Sequence, residues 1–178
     1  MITPFIFDED VAIEVILYIA HQVPKPTFHT ISKIMYFADK AHLERYGRFI
    51  CGDNYVAMRH GPVPSFTYDI LKMQRAEYHI RPTPKKIETA FKVDGYTVIP
   101  LRKANLDYLS DSDIECLDEA IETYGHMSFK ELTKCSHDAA WKAADENDLI
   151  EIEQIINTLE NPTALREHLR DPHPNEIQ

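Results

Sequence analysis

The sequence predicts a mainly α fold, a compact multi-helix domain with one small β-hairpin over about residues 87–100. Three observations carry that prediction. Apolar residues recur at helical spacing through most of the chain, and capping signatures open several of those stretches. Only around Asp94-Gly95 does the period switch to alternation.

The first helix is expected from about Asp8 to Gln22. Asp8 can accept from the free N–H groups of the first turn, and Val11, Ala12, Val15, Ile16 and Ile19 share a face. Val23-Pro24-Lys25-Pro26 stops it, because proline lacks the donor a helix needs. A second helix follows from about Thr27 to Tyr46 and ends at Gly47. Its apolar positions are Ile31, Ile34, Met35, Ala38 and His42, with Lys33, Asp39, Lys40, Glu44 and Arg45 on the other side. Residues 48–65 read as an ordered loop with turns at Gly52-Asp53 and Gly61-Pro62. A third helix starts near Val63-Pro64-Ser65 and turns Phe66, Ile70, Leu71 and Met73 inward.

In the hairpin, Phe91 and Val93 precede the Asp94-Gly95 turn, and Tyr96 and Val98 follow it. One hairpin alone is marginal, so it should pack on the helices. Ser112-Asp113-Ile114-Glu115 reads as a capping box for a helix ending at Gly125, and Ser128 to Glu131 as a second. Trp141 sits in a further short segment, and Leu149, Ile152, Ile155, Ile156 and Leu159 suggest another helix. Residues 1–160 are expected to form a single domain. Residues 161–178 are expected to form a tail, with a small helix from Asn161 to Arg170 and a flexible end.

The composition excludes several classes. The 178 residues include 44% hydrophobic and 27% charged side chains, so the chain can bury a core and is not disordered as a whole. Lys and Arg number 19 against 29 Asp and Glu, a balance of -10 that does not favour nucleic acid as a partner. The charge is uneven: residues 1–105 carry 14 basic and 11 acidic residues (+3), residues 106–178 carry 5 and 18 (-13). The acidic half is either a set of solvated helix faces or a surface that steers a basic partner. Cys51, Cys116 and Cys135 are too few and too far apart for a disulfide framework, which fits a reducing cytoplasm. Met1 to Asp10 does not read as a signal peptide, and the longest apolar run, Val15 to Ala20, is too short to span a membrane.

Phosphate-loop, dinucleotide, nucleophile-elbow and zincin motifs are all missing from the sequence. Cys135 and His137 lie two apart, a spacing that diverges on a helix. His60, His137 and Asp138 could converge on a metal through tertiary folding, which leaves open an enzyme that depends on a metal or nucleotide around His60 and His137. Alternatively, His137 and Asp138 satisfy backbone groups where two short helices join. Cys51 is either an exposed thiol or an idle buried one. Arg59 could clamp a carboxylate or phosphate, or pair with an internal acid such as Asp39.

Two segments go further than these readings. Lys33-Ile-Met-Tyr-Phe-Ala-Asp-Lys-Ala-His-Leu43 is followed by Gly52-Asp53 and by Met58-Arg-His-Gly-Pro-Val-Pro64. Leu132, Ser136-His137 and Trp141 come later in the chain. The pattern resembles the Panacea domain, also called the SocA-like antitoxin domain, over about residues 8–158. The matching positions are Tyr36, Phe37, Asp39, Lys40, His42, Leu43, Gly52, Asp53, Arg59, His60, Gly61, Pro62, Pro64, Ser136, His137 and Trp141.

That resemblance implies a helical, cytoplasmic bacterial or phage protein acting in a toxin–antitoxin system. It implies protein–protein interaction with a cognate toxin encoded nearby, which the antitoxin neutralises directly. The SocA type is also a proteolytic adaptor that presents its toxin to ClpXP, which makes ClpX a second partner. No enzyme activity and no cofactor are implied. A domain that accepts unrelated toxins needs a fixed frame and a changeable face. Candidates for that face are the hairpin at Asp94 and Gly95 and an acidic helix surface of Asp111, Asp113, Glu115, Asp118, Glu119 and Glu122.

Overall fold

A computed structural model describes residues 5–75, 77 and 82–170. The expected flexible end at residues 171–178 lies outside them. Among the described residues the fold is mainly α, with nine helices and two antiparallel hairpins.

Helix α1 (Glu9–Gln22) is capped by the Asp8 carboxylate, which accepts from Val11 N at 3.1 Å. Helix α2 (Phe28–Tyr46) is capped by Thr27 and ends at Gly47. It is the central element because it serves two cores. Ile31, Ile34, Met35 and Ala38 join the larger cluster, built on α1. Tyr36 and Leu43 join a smaller one that includes Tyr55, Ile152 and Ile156. With packing on both sides, the expected charged face is partly interior: Lys33 is 1% exposed and Asp39 2%.

Residues 48–65 hold a hairpin, not only a loop. Strands β1 (Tyr55–Met58) and β2 (Gly61–Pro64) pair antiparallel, with Met58 opposite Gly61 and Arg59-His60 at the turn. No alternating apolar pattern announced it, because β2 reads Gly-Pro-Val-Pro and prolines cannot donate to a ladder. On its other side β1 bonds to residues 147–150: Ala57 N donates to Asp148 O at 2.9 Å and Ile150 N to Tyr55 O at 2.8 Å. Leu149 bridges to Val56 instead of entering a helix.

Helix α3 (Ser65–Met73) buries Ile70 and Leu71 but leaves Phe66 and Met73 exposed, against the expectation for those two. Ile87 lies in a short helix, α4 (Lys85–Glu88), ahead of the second hairpin. Strands β3 (Phe91–Asp94) and β4 (Thr97–Pro100) pair with Asp94 opposite Thr97. The two-residue loop is therefore Gly95-Tyr96, one position later than expected. Gly95, at φ 62°, takes the strained first place, and Tyr96 projects from the second at 57% exposure. The hairpin packs on the N-terminus of α2, where Phe28 N donates to Tyr96 O and Val98 N to Pro26 O, both at 2.9 Å.

Helix α5 (Asp111–Tyr124) opens two residues earlier than the Ser112 box implied. Ser110 caps it and exchanges bonds with Asp113, which frees Ser112 for His42. Helix α6 (Phe129–Ser136) opens with the expected Ser128–Glu131 box. Helices α7 (Ala139–Ala143), α8 (Ile152–Ile156) and α9 (Pro162–Arg170) complete the described residues. No helix among the described residues is long and apolar enough to cross a membrane.

Candidate functional site

The signature residues first build a frame. Asp53 lies in the irregular segment just before β1, and Pro64, which precedes α3, has no side chain able to cap. Asp53 supplies that cap from a distance. Its Oδ1 accepts from Asn54 N at 2.7 Å and Phe66 N at 3.0 Å, and its Oδ2 from Thr67 N at 2.8 Å and Thr67 Oγ1 at 2.6 Å. Burial raises its pKa, and these bonds pull the other way.

Asp39 does similar work one turn into the core. Its Oδ1 accepts from Ile50 N at 2.8 Å and its Oδ2 from Tyr55 Oη at 2.6 Å. Burial raises its pKa to about 7, while the bonds from Tyr55 and Ile50 lower it. Buried His42 donates from Nδ1 to the Arg48 carbonyl at 2.9 Å and meets Ser112 Oγ with Nε2 at 2.9 Å.

Asp138 ties the early signature to the late one. Its Oδ2 accepts from Tyr36 Oη at 2.7 Å and Lys40 Nζ at 2.9 Å, and its Oδ1 accepts from Trp141 N at 3.0 Å as the cap of α7. His137 lies flat on Trp141 with ring centroids 3.7 Å apart, and Trp141 Nε1 donates to Met58 O at 2.8 Å. His60, His137 and Asp138 therefore do not assemble a ligand set, since both Asp138 oxygens are engaged elsewhere. Among the described residues no group of three or more His, Cys, Asp or Glu side chains is placed to hold a metal ion.

Beside this frame lies an open groove of about 430 Å³. Its residues come from the start of α2, the β1–β2 turn, Tyr68 of α3, Tyr96 and Phe129. Phe28 meets Tyr68 and Tyr96 edge-on at 5.9 and 5.5 Å. His29 stacks on Phe129 at 3.9 Å, and His60 meets the same ring edge-on at 5.0 Å. Phe129 is 53% exposed, because it occupies the first turn of α6 outside the face that buries Leu132.

Lys33 runs beneath Gly61, and its Nζ donates to Pro62 O at 2.9 Å. Burial lowers its pKa to about 7. Gly61 adopts φ 112°, and a Cβ there would come within 2.7 Å of Lys33 Cε, so the close approach needs glycine. Burial first, then Lys33, lowers the His29 pKa to about 4, so that ring is neutral at pH 7. Buried Ser32 lines the groove with a hydroxyl that has no partner among the described residues.

The remaining signature residues and the expected contact residues divide. Arg59 and His60 stand exposed at the groove, with Arg59 also bordering a smaller depression beside Lys142 and Glu146. Arg59 does not pair with Asp39, whose oxygens are taken. Asp94 and Gly95 are exposed next to Tyr96. The acidic face of α5 is less free than its sequence suggests. Asp113 is 3% exposed and bonded to Arg48 at 2.9 Å, so it cannot meet a partner. Glu115 and Glu119 pair with Arg45 at 3.2 and 2.6 Å, and Tyr18 donates to Asp118. Asp111 and Glu122 are exposed. Cys51 is buried, with its pKa well raised by burial.

Sequence reasoning missed Tyr96, Phe129, His29 and Ser32 as one site. The available signal was an aromatic residue directly after a turn glycine and another directly after a helix cap, both places that local geometry exposes.

Residues 31–142 match the family model described as antitoxin SocA-like, Panacea domain. The match starts in α2 and ends in α7, so it contains the whole Asp39, Asp53 and Asp138 frame. Neither curated proteins nor solved structures give a match.

Proposed function

We propose that this chain, which belongs to the SocA-like antitoxin family with its Panacea domain, neutralises a cognate toxin by binding it directly. One observation carries the reading most. The residues of the family signature are mostly spent on internal bonds, while a concave apolar surface with exposed aromatic residues sits directly against them. A frame holding a recognition surface suits a binder, since buried aromatic anchors supply most of an interface's energy.

The test uses the adjacent reading frame. That frame is expressed alone and together with this chain, and surviving cells are counted. Death alone and growth together is the expected result; a neighbour that stays lethal beside abundant folded antitoxin counts against it. Toxin half-life in the survivors then separates two modes. An unchanged half-life means a stoichiometric block, and a shorter one means delivery to a protease such as ClpXP.

A further inference from the structure

The groove has a chemistry that neutralisation as such does not require. The chain carries 29 acidic residues against 19 basic ones, yet no carboxylate lines the groove among the described residues. Lys33 lies at its floor, and Arg59 and His60 stand exposed at its rim. Phe28, Tyr96 and Phe129 make the walls aromatic, and two of those rings are more than half exposed. Buried Ser32 Oγ, without a partner among the described residues, is a second and independent sign, since native interiors rarely leave such a group unbonded.

We propose that the groove receives a segment of the toxin that sets a large apolar side chain between the aromatic walls and a neighbouring Asp or Glu carboxylate on Arg59. The proposal rests on the antitoxin reading. Charge complementarity selects the occupant. A basic segment would meet Arg59 with no carboxylate in the groove lining to offset it, and a purely polar segment would leave the aromatic walls wet. Arg59 offers a planar fork of donors suited to a carboxylate. Ser32 Oγ lies deeper and can bond the backbone of the inserted segment.

Two arms test this, and the first needs no toxin. The full chain is titrated at neutral pH with N-acetyl-phenylalanine and with its amide, followed by NMR. The expected result is a shift of Ser32, Tyr96 and Phe129 resonances, with the acid bound about 10-fold tighter than the amide and the preference lost in Arg59→Gln. Equal binding of the two probes, or shifts confined to another surface, overturns the proposal.

In the second arm the toxin is titrated with the wild-type chain, Phe129→Ala and Arg59→Glu, and thermal melts are run in parallel. Both variants are expected to melt with the wild type and to bind about 30-fold more weakly. An acid-to-lysine exchange in the toxin segment is expected to restore part of the Arg59→Glu loss. Tyr96→Ala, at a hairpin tip, replaces Phe129→Ala if the latter melts early. Undiminished binding by the folded variants overturns the proposal and leaves the antitoxin reading intact. A wild-type chain that neither binds nor protects removes the antitoxin reading, and the occupant named here with it.

Discussion

The frame around Asp39, Asp53 and Asp138 and the groove beside it share one stretch of chain and obey opposite rules. In the frame the carboxylates are engaged through both oxygens: Asp53 accepts four bonds, and Asp138 accepts from Tyr36, Lys40 and Trp141. In the groove Ser32 Oγ has no partner among the described residues, and Phe129 and Tyr96 are each more than half exposed, although His29 stacks on the first and the Arg75 guanidinium lies 3.8 Å from the ring centroid of the second. Satisfied buried polar groups make a site rigid and costly to alter. Unsatisfied groups and exposed rings leave interaction free energy to be gained when a partner arrives. The contrast separates residues that hold shape from residues available for contact.

Substitutions can break that contrast. Asp53→Ala strips the start of α3 of its cap and leaves buried donors unbonded. It is expected to cost about 3 kcal/mol or more of stability in urea unfolding. A loss below about 1 kcal/mol would show that Asp53 is not a frame residue. Gly61→Ala stands where frame and groove meet. A left-handed φ and the approach of Lys33 predict a loss of about 2–3 kcal/mol, together with a changed groove. If stability falls while the groove resonances stay put, the two regions are less coupled than the geometry indicates.

Phe129→Ala reverses the pattern. Stability should move by no more than about 0.5 kcal/mol, while toxin affinity falls by about 2 kcal/mol. The reverse ranking would assign Phe129 to the frame. Tyr36→Phe removes only the bond to Asp138, with Lys40 still paired to it. It should cost about 1 kcal/mol of stability with unchanged toxin affinity.

A pH series sharpens the contrast further. Asp39 is raised from 3.8 to about 7, so the folded state holds the extra proton and this group withdraws stability as pH rises through that window. Lys33 is lowered from 10.5 to about 7, so the unfolded state holds the extra proton and this group restores stability as pH rises from about 7 to about 10.5. Unfolding measured across pH should lose the acid limb in Asp39→Asn and the alkaline limb in Lys33→Met. An unaltered curve in Asp39→Asn would mean that its carboxyl titrates in the ordinary range.

The acidic half offers a second comparison. By sequence alone, Asp111 and Asp113 are both candidates for one acidic contact face. In the structure Asp113 is consumed by Arg48 and by the cap at Ser110, whereas Asp111 is exposed. Spacing reports which residues share a helix face, but not what packs against that face. For the same reason Lys33 reads as a surface charge although α2 is covered on both sides.

Local information determined most of the helices, the caps at Asp8 and Ser128 and the existence of the β3–β4 hairpin, because each rests on residues within one or two turns of each other, while the family followed from the order of short motifs between Lys33 and Trp141. The β1–β2 hairpin, the cap that Asp53 lends to α3 and the meeting of Tyr36 with Asp138 across 102 positions were decided only by tertiary structure. So was the groove, since its walls come from segments as far apart as Phe28 and Phe129. Short-range spacing carries propensity and capping, but burial and polar partnership are properties of the packed chain.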